Sequence, residues 1–183
     1  MSKLKRLLHN YSNHIVIPWR HDIAPDQRVM FCVYDETDEL RLRAKVEEFE
    51  LATRQAGHEW ALFDLTDTFT GWLSHQRYAH KYFAQPDLLS PLLPKYLDDL
   101  TKRFGQFLEA EQVDENAVIA LQETGSLYGL LTVKAVVNRF APQVSGRLLV
   151  FFPGVYEDTN YRLLNGYDGW NYLAVPITAG SES

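Results

Sequence analysis

Carboxylate side chains follow several of the segments that the sequence predicts as strands. They are Asp35 and Glu36, Asp64 and Asp67, Glu123 with the neighbouring Thr124, and Glu157 and Asp158. In an open parallel sheet, ligands bind beyond the carboxyl ends of the strands. Converging carboxylates at such an edge hold Mg²⁺ in metal-dependent phosphoryl transfer. One hypothesis is therefore a nucleotide- or metal-binding enzyme or sensor, with Asp35, Asp64 and Glu123 as ligands.

The same residue types are also the usual caps of helices that follow strands. Asp and Thr accept hydrogen bonds from the free N–H groups of a helix N-terminus, where negative charge is favoured. Because capping occurs in nearly every α/β protein, it is the preferred interpretation here. The sequence accordingly predicts no metal site and no cofactor.

A short glycine-containing segment, residues 125–129, stands at a predicted strand–loop–helix junction. A P-loop needs Gly-x-x-x-x-Gly-Lys-Ser/Thr, but no lysine follows Gly129. A nucleophile elbow needs Gly-x-Ser-x-Gly, whereas Ser126 directly follows Gly125. The pattern predicts a tight turn with Ser126 as a helix N-cap, and neither a nucleotide hydrolase nor a serine hydrolase.

Histidine and cysteine give no catalytic or structural-metal motif. His58-Glu59 begins like the zinc motif His-Glu-x-x-His, but Leu62 occupies the place of the second histidine. Cys32 is the single cysteine of the chain and lies in an apolar run. An internal disulfide is therefore excluded, and a buried, unreactive thiol is expected. No catalytic residue is predicted, and the chain is not expected to be an enzyme.

Residues 153–172 combine five aromatic side chains with several charged ones. Tyr, Trp and Arg are the types enriched where proteins bind one another. The candidate partner-binding residues are Tyr156, Glu157, Asn160, Tyr161, Arg162, Asp168 and Trp170. The alternative is a loop fixed to its own core by Trp170 and the tyrosines.

Apolar residues recur at helical spacing in three segments that would hold these residues in place. The first is an amphipathic helix within residues 1–16, the second covers 39–56 and ends at Gly57, and the third covers about 93–111. Another helix is expected from the glycine segment to about residue 140. Strands are predicted at residues 29–34, 59–65, 117–121, 147–152 and 171–177.

Strands that alternate with helices predict an α/β fold. We expect residues 1–183 to form a single three-layer domain, with a mostly parallel sheet of about four to five strands and helices on both faces. Pro176 favours an edge position for the last strand, because proline cannot donate to the hydrogen-bond ladder. Residues 178–183 are expected to form a loose tail.

Composition narrows the class of protein. The chain has 183 residues, 46% of them apolar and 23% charged, which excludes collagen, low-complexity disorder and a disulfide scaffold. Its net charge of −6 disfavours a nucleic-acid binder; such a protein, acting through Lys3, Lys5, Arg6 and Arg20, is the weakest of three hypotheses. With no secretory signal pattern and no apolar run of about 18 residues, a cytoplasmic protein without membrane contact is expected.

Several motifs together resemble a known family. They are Pro18-Trp19-Arg20, Glu48-Phe49-Glu50-Leu51-Ala52, Asp64-Leu65-Thr66-Asp67, Gly125-Ser126-Leu127-Tyr128-Gly129, residues 146–154, Tyr156-Glu157, residues 160–164 and residues 169–177. They look like the BrxB family of bacterial BREX phage-exclusion systems, over about residues 17–177. Val155 stands where the family carries an acidic residue.

The resemblance implies a role inside a multi-protein system that blocks phage replication and marks self DNA by methylation. Other components of such systems resemble an ATPase, an adenine methyltransferase, the phosphatase-like PglZ and a Lon-like protein. The family offers no catalytic motif that carries over to this chain. The expected function is a non-enzymatic adaptor or regulatory subunit in antiviral defence, with PglZ as the first candidate partner.

Overall fold

The computed structural model describes residues 1–164, 166 and 169–180, which form a mixed α/β fold. The helices are α1 (Lys3–Ile15), α2 (Glu39–Gln55), α3 (Thr68–Ser74), α4 (Ala79–Ala84), α5 (Leu93–Ala110) and α6 (Val133–Phe140). The strands are β1 (Val29–Tyr34), β2 (Glu59–Asp64), β3 (Ala117–Gln122), β4 (Arg147–Glu157), β5 (Asn160–Leu163), β6 (Trp170–Asn171) and β7 (Val175–Ile177). None of the described helices is both long and apolar enough to cross a bilayer.

The described strands form one mixed sheet. Its main order is β2-β3-β4-β1-β7, and the neighbours in this order pair in parallel. β5 pairs antiparallel with the end of β4, and β6 pairs antiparallel with β5. β7 pairs only with β1 in this order, so the prediction that Pro176 lies in an edge strand is confirmed.

Two strand predictions were wrong. The segment 171–177 does not form one strand: it contributes to both β6 and β7, which have different partners. β4 does not end at residue 152 but continues to Glu157. Pro153 lies within this strand and has no N–H to donate, and its carbonyl accepts a hydrogen bond from the Leu164 N–H at 2.8 Å. With β5 also present, the described sheet has seven strands rather than four to five.

Buried apolar side chains form two clusters on opposite faces of the sheet, because successive residues of a strand point to opposite sides. In β1, Phe31 belongs to one cluster, whereas Met30 and Cys32 belong to the other. α1 and α2 pack on the Cys32 face. α3, α5 and α6 pack on the Phe31 face.

The apolar pattern of α1 accounts for the way this helix packs on the sheet. Of its apolar residues at helical spacing, Leu4, Leu7, Tyr11 and Ile15 are buried against the sheet and α2, and Leu8 is partly buried. The Tyr11 and Thr53 hydroxyls share a buried hydrogen bond of 2.6 Å, which joins α1 to α2. α2 also ends as predicted, with Gly57 at a φ of 88°, a left-handed conformation that favours glycine.

The C-terminal end of the described chain lies against α1, near the N-terminus. The Asn10 side chain donates to the Thr178 carbonyl at 2.7 Å, and Arg6 Nε donates to the Ala179 carbonyl at 3.2 Å. Of the tail predicted over residues 178–183, Thr178 and Ala179 are thus held against α1, and residues 181–183 lie outside the described residues.

Candidate functional site

Two of the predicted strand-end carboxylates are used to close turns. Asp35 Oδ1 accepts hydrogen bonds from the Thr37 N–H at 2.9 Å and from its hydroxyl at 2.6 Å. Asp64 Oδ1 accepts the same pair of bonds from Thr66, at 2.8 and 2.5 Å. The bonds from Thr37 hold the pKa of Asp35 below its ordinary value. An Asp-x-Thr sequence therefore closes a turn after each strand, but the expected capping of the following helices is wrong for α2 and α3, since Asp38 and Asp67 at their N-termini make no side-chain cap hydrogen bond.

Glu123 has a different environment from those two residues. It follows β3 with a φ of 68°, and it is buried. Its carboxylate contacts Arg43 of α2 twice, with Nε 2.5 Å from Oε1 and the terminal nitrogen 2.8 Å from Oε2. Burial raises the pKa of Glu123, the nearby Glu39 carboxylate adds to this, and Arg43 opposes it.

Arg43 also approaches Glu39 at 3.5 Å, and Glu39 accepts a hydrogen bond from the Tyr34 hydroxyl. Sequence reasoning missed this network, although the four-residue spacing of Glu39 and Arg43 on a helix was a visible signal. Among the described residues, no three His, Cys, Asp or Glu side chains are placed so that they could hold a metal ion. The structure therefore brings Glu123 to Arg43, and does not bring it together with Asp35 and Asp64 as a ligand set.

The glycine segment forms a 3₁₀ turn over Thr124–Leu127. The Ser126 hydroxyl donates to the Glu123 carbonyl at 2.7 Å, so the prediction that Ser126 caps the next helix was wrong. Thr132 caps α6 instead, since its hydroxyl oxygen accepts a hydrogen bond from the Ala135 N–H at 3.1 Å. Glu123, in the left-handed region directly after β3, turns the chain into this 3₁₀ turn, and α6 begins only at Val133.

The aromatic segment is organised by a β-hairpin, formed by the end of β4 and by β5. Asp158 and Thr159 form its two-residue turn, with φ values of 49° and 66°; positive φ at both positions is typical of a type I′ hairpin turn. Across the hairpin, Tyr156 lies opposite Tyr161 and Val155 opposite Arg162. Side chains alternate between the two faces of the hairpin, so the predicted partner-binding residues separate into two groups.

The inner face of the hairpin belongs to the core. Tyr161 is 0% exposed, and its ring centroid lies 4.6 Å from that of Phe31 and 5.3 Å from that of Trp170. Its hydroxyl donates to the Ala174 carbonyl at 3.2 Å. A fully buried side chain offers no surface to a partner, so the assignment of Tyr161 to the binding surface is corrected. Tyr156 and Trp170 are half-buried against the same cluster.

The outer face of the hairpin carries the exposed candidates. Glu157, Asn160 and Arg162 are all exposed, and Val155 is 38% exposed beside them. We call these four residues the outer hairpin face. The remaining predicted residue, Asp168, lies outside the described residues.

A cleft of about 530 Å³ opens where β1 ends, next to the outer hairpin face. Its walls come from the start of α1, from the turn after β1, from the end of β4 and from the chain after β7. The lining residues are Lys3, Leu4, Leu7, Val33, Tyr34, Asp35, Asp38, residues 154–157 and residues 178–180. Sequence reasoning missed this cleft. The predicted fourth strand ended at residue 152, whereas residues 154–157 of β4 form one wall of the cleft.

Cys32 takes no part in this region. Its side chain is 0% exposed, and burial raises the pKa of its thiol well above the ordinary range. A thiol that stays protonated and inaccessible is a poor nucleophile. Cys32 is therefore a packing residue of the sheet, as the sequence predicted.

His58 lies at the opposite end of the strands, beside the first residue of β2. Its ring stacks on Trp19 with centroids 3.7 Å apart, and the Arg147 guanidinium lies 4.8 Å from the Trp19 ring. His58 Nδ1 also lies within hydrogen-bond distance, 2.8 Å, of Asn116 Oδ1. These contacts fix the connection from α1 to β1 and give His58 a packing role.

Comparisons of this chain with protein-family models, with curated proteins and with solved structures found no match in any of the three.

Proposed function

We propose that this protein is a non-enzymatic BrxB-like component of a BREX phage-defence system, an adaptor or regulatory subunit that binds PglZ. The observation that carries the proposal is the outer hairpin face, where Glu157, Asn160 and Arg162 are exposed together. The sequence motifs that resemble BrxB include both strands of this hairpin.

Rigid support makes this face suited to binding. The hairpin is held from beneath by Tyr161, which is packed between Phe31 and Trp170. A surface that is ordered before association loses less conformational entropy when it binds. Arg162 adds a planar group that recognises carboxylates through two hydrogen bonds, so a partner with acidic side chains at this position fits best.

The alternative function, an enzyme or sensor at the strand ends, has less support. Asp35 and Asp64 bond to their own turns, and Glu123 bonds to Arg43. These contacts leave the three carboxylates turned to different partners. Nucleic-acid binding is disfavoured by the net charge of −6.

We also propose a layer arrangement for the fold and a cellular location for the protein. We class the fold as a three-layer domain with a mostly parallel sheet, supported by the parallel pairings of β2, β3, β4, β1 and β7 and by apolar clusters on both faces. A cytoplasmic location is supported by the single buried thiol, since a reducing compartment requires no disulfide.

Co-expression with tagged PglZ tests the function. Pull-down followed by size-exclusion chromatography with light scattering is expected to give co-elution at a defined stoichiometry. Separate elution of two folded proteins would overturn the PglZ assignment.

A charge-swapped variant tests the surface. Glu157→Lys with Arg162→Glu keeps the net charge and is expected to weaken binding at least tenfold. The control is Lys102→Glu with Glu109→Lys, two exposed residues of α5, which is expected to bind like the unmodified protein. Equal binding by the two variants would place the contact elsewhere.

A further inference from the structure

The cleft lies just beyond the last residue of β1. β1 pairs with β4 on one side and with β7 on the other, and its last residue, Tyr34, lies opposite Pro153. Neighbouring strands are about 4.8 Å apart, so β4 and β7 are separated by roughly twice that distance. Beyond Tyr34 the chain leaves the sheet at Asp35, whereas β4 continues for four more residues. The cleft lies in this lane, between residues 154–157 and residues 178–180.

The edge of β4 that faces the lane has hydrogen-bonding groups to offer. Glu157 and Asn160 are the closing pair of the two-residue turn, and the Pro153 carbonyl accepts from Leu164, just past the end of β5. Backbone groups alternate between the two edges of a strand. The N–H and C=O of Val155 and Glu157 are therefore directed at β5, and those of Tyr156 are directed away from β5, into the lane. No described strand pairs with Tyr156 on that side.

The charges of the cleft indicate what would enter it. Its described lining has three acidic side chains, Asp35, Asp38 and Glu157, and one basic side chain, Lys3, and Asp38 is paired with Arg41 at 3.0 Å. This acidic balance disfavours a phosphate or nucleotide and favours a lysine or arginine. Leu4 and Leu7 supply the apolar part of the wall. An exposed strand edge combined with side-chain pockets is the arrangement that binds a peptide by strand addition.

We propose that the cleft binds an extended segment of a partner protein, which continues the line of β1, pairs with the backbone of Tyr156 and places a lysine or arginine beside Asp35 and Glu157. The inference rests on the proposed partner-binding function and specifies how the partner is recognised.

Two substitutions at one position separate backbone pairing from side-chain packing. Tyr156→Ala removes the ring but keeps the N–H, whereas Tyr156→Pro removes the N–H as well and places a ring against the incoming strand. Random twelve-residue peptides displayed on phage would be selected on the immobilised full chain. The selected peptides are expected to contain lysine or arginine, and to bind Tyr156→Pro at least tenfold more weakly than Tyr156→Ala. Failure to select any peptide, or equal binding by the two folded variants, would overturn the inference.

Amide exchange in the unmodified protein gives a readout that requires no mutation. The Tyr156 amide is expected to exchange at least tenfold more slowly when a selected peptide is bound, while the Val155 amide, already paired with β5, changes little. Unchanged exchange at Tyr156 would overturn the inference even if Tyr156→Pro does not fold. Displacement of the peptide by millimolar ATP or inorganic phosphate would also overturn it, because the cleft would then prefer an anion.

PglZ measured in parallel separates the two proposals. If PglZ does not bind the unmodified protein, the proposed function fails and the peptide results alone decide on the cleft. If PglZ binds Tyr156→Ala and Tyr156→Pro equally well, the adaptor function stands, and the cleft is overturned as the place where PglZ docks.

Discussion

Tyr161 and Arg162 are neighbours on β5, and replacing each with alanine should affect different properties of the protein. The Tyr161 ring is fully buried among Phe31, Phe152 and Trp170, so its removal leaves a large cavity. Truncation of a buried aromatic residue costs about 3–5 kcal/mol. Loss of the hydroxyl's bond to a buried carbonyl adds about 1 kcal/mol. Tyr161→Ala is therefore expected to lower the free energy of unfolding by about 4–6 kcal/mol, a large share of the total for a typical domain.

Arg162→Ala changes an exposed side chain, and we expect its effect on the free energy of unfolding to stay within about 0.5 kcal/mol. Its effect on partner binding is expected to be large instead. Tyr161→Phe is the intermediate case: it keeps the packing, loses only the hydroxyl and should cost about 1 kcal/mol.

Urea unfolding followed by circular dichroism measures these differences. With a slope of about 2 kcal/mol per molar urea, Tyr161→Ala should move the midpoint down by about 2 M or more. Two results would refute the assignment of Tyr161 to the core and of Arg162 to the binding surface. One is a midpoint shift below about 0.5 M for Tyr161→Ala, and the other is a shift for Arg162→Ala as large as that for Tyr161→Ala.

Further substitutions probe other parts of the structure, and urea unfolding measures each of them. Thr53→Val leaves the Tyr11 hydroxyl buried without its partner, so it should cost about 1–3 kcal/mol, and adding Tyr11→Phe should recover part of that loss; additive losses would contradict this. Burial raises the pKa of Glu123, so the native state binds this proton more tightly than the unfolded chain does. The stabilisation from Glu123 is thus complete below the ordinary pKa of 4.5 and is lost as pH rises through the raised value. The free energy of unfolding of the unmodified protein, relative to that of Glu123→Gln, should fall with rising pH. A difference that does not change with pH would contradict the raised pKa of Glu123. Gly57→Ala, at positive φ, should destabilise by about 1 kcal/mol, whereas Gly71→Ala, in a helix with open space around it, should stabilise by about 0.5–1 kcal/mol; equal signs would contradict the backbone assignment.

Much of the fold could be predicted because local pattern and tertiary packing agree. The apolar spacing of α1 and the glycine stop of α2 each have one consistent interpretation, and the structure confirms both. The edge position of β7 could be predicted for a similar reason, since Pro176 removes a donor that a central strand needs.

The candidate site was harder to predict, because its geometry depends on backbone conformations that the sequence does not announce. Asp158 and Thr159 adopt positive φ without being glycine or the favoured asparagine, so the hairpin turn was not recognised. When the position of the turn is unknown, the sequence does not show which side chains of the hairpin share a face. For that reason Tyr161 and Arg162 were placed in one surface, although they lie on opposite faces of β5.

Glu123 shows the same limitation at the strand ends. Its acidic side chain after a strand suggested a ligand or a cap. The contact with Arg43, 80 residues away, decides its role instead, and no local pattern of residues encodes a contact over such a separation.

The position of β1 in the sheet has a consequence for how the chain folds as it is made. Among the described strands β1 is made first, and all six of its residues are buried in the folded protein. Its two partners, β4 and β7, begin only at Arg147 and Val175. At about 5–20 residues per second, the apolar segment stays without either neighbour for on the order of ten seconds. During synthesis, therefore, the centre of the future sheet is an apolar strand without its partners, the kind of segment that is prone to aggregation, until β4 has been made.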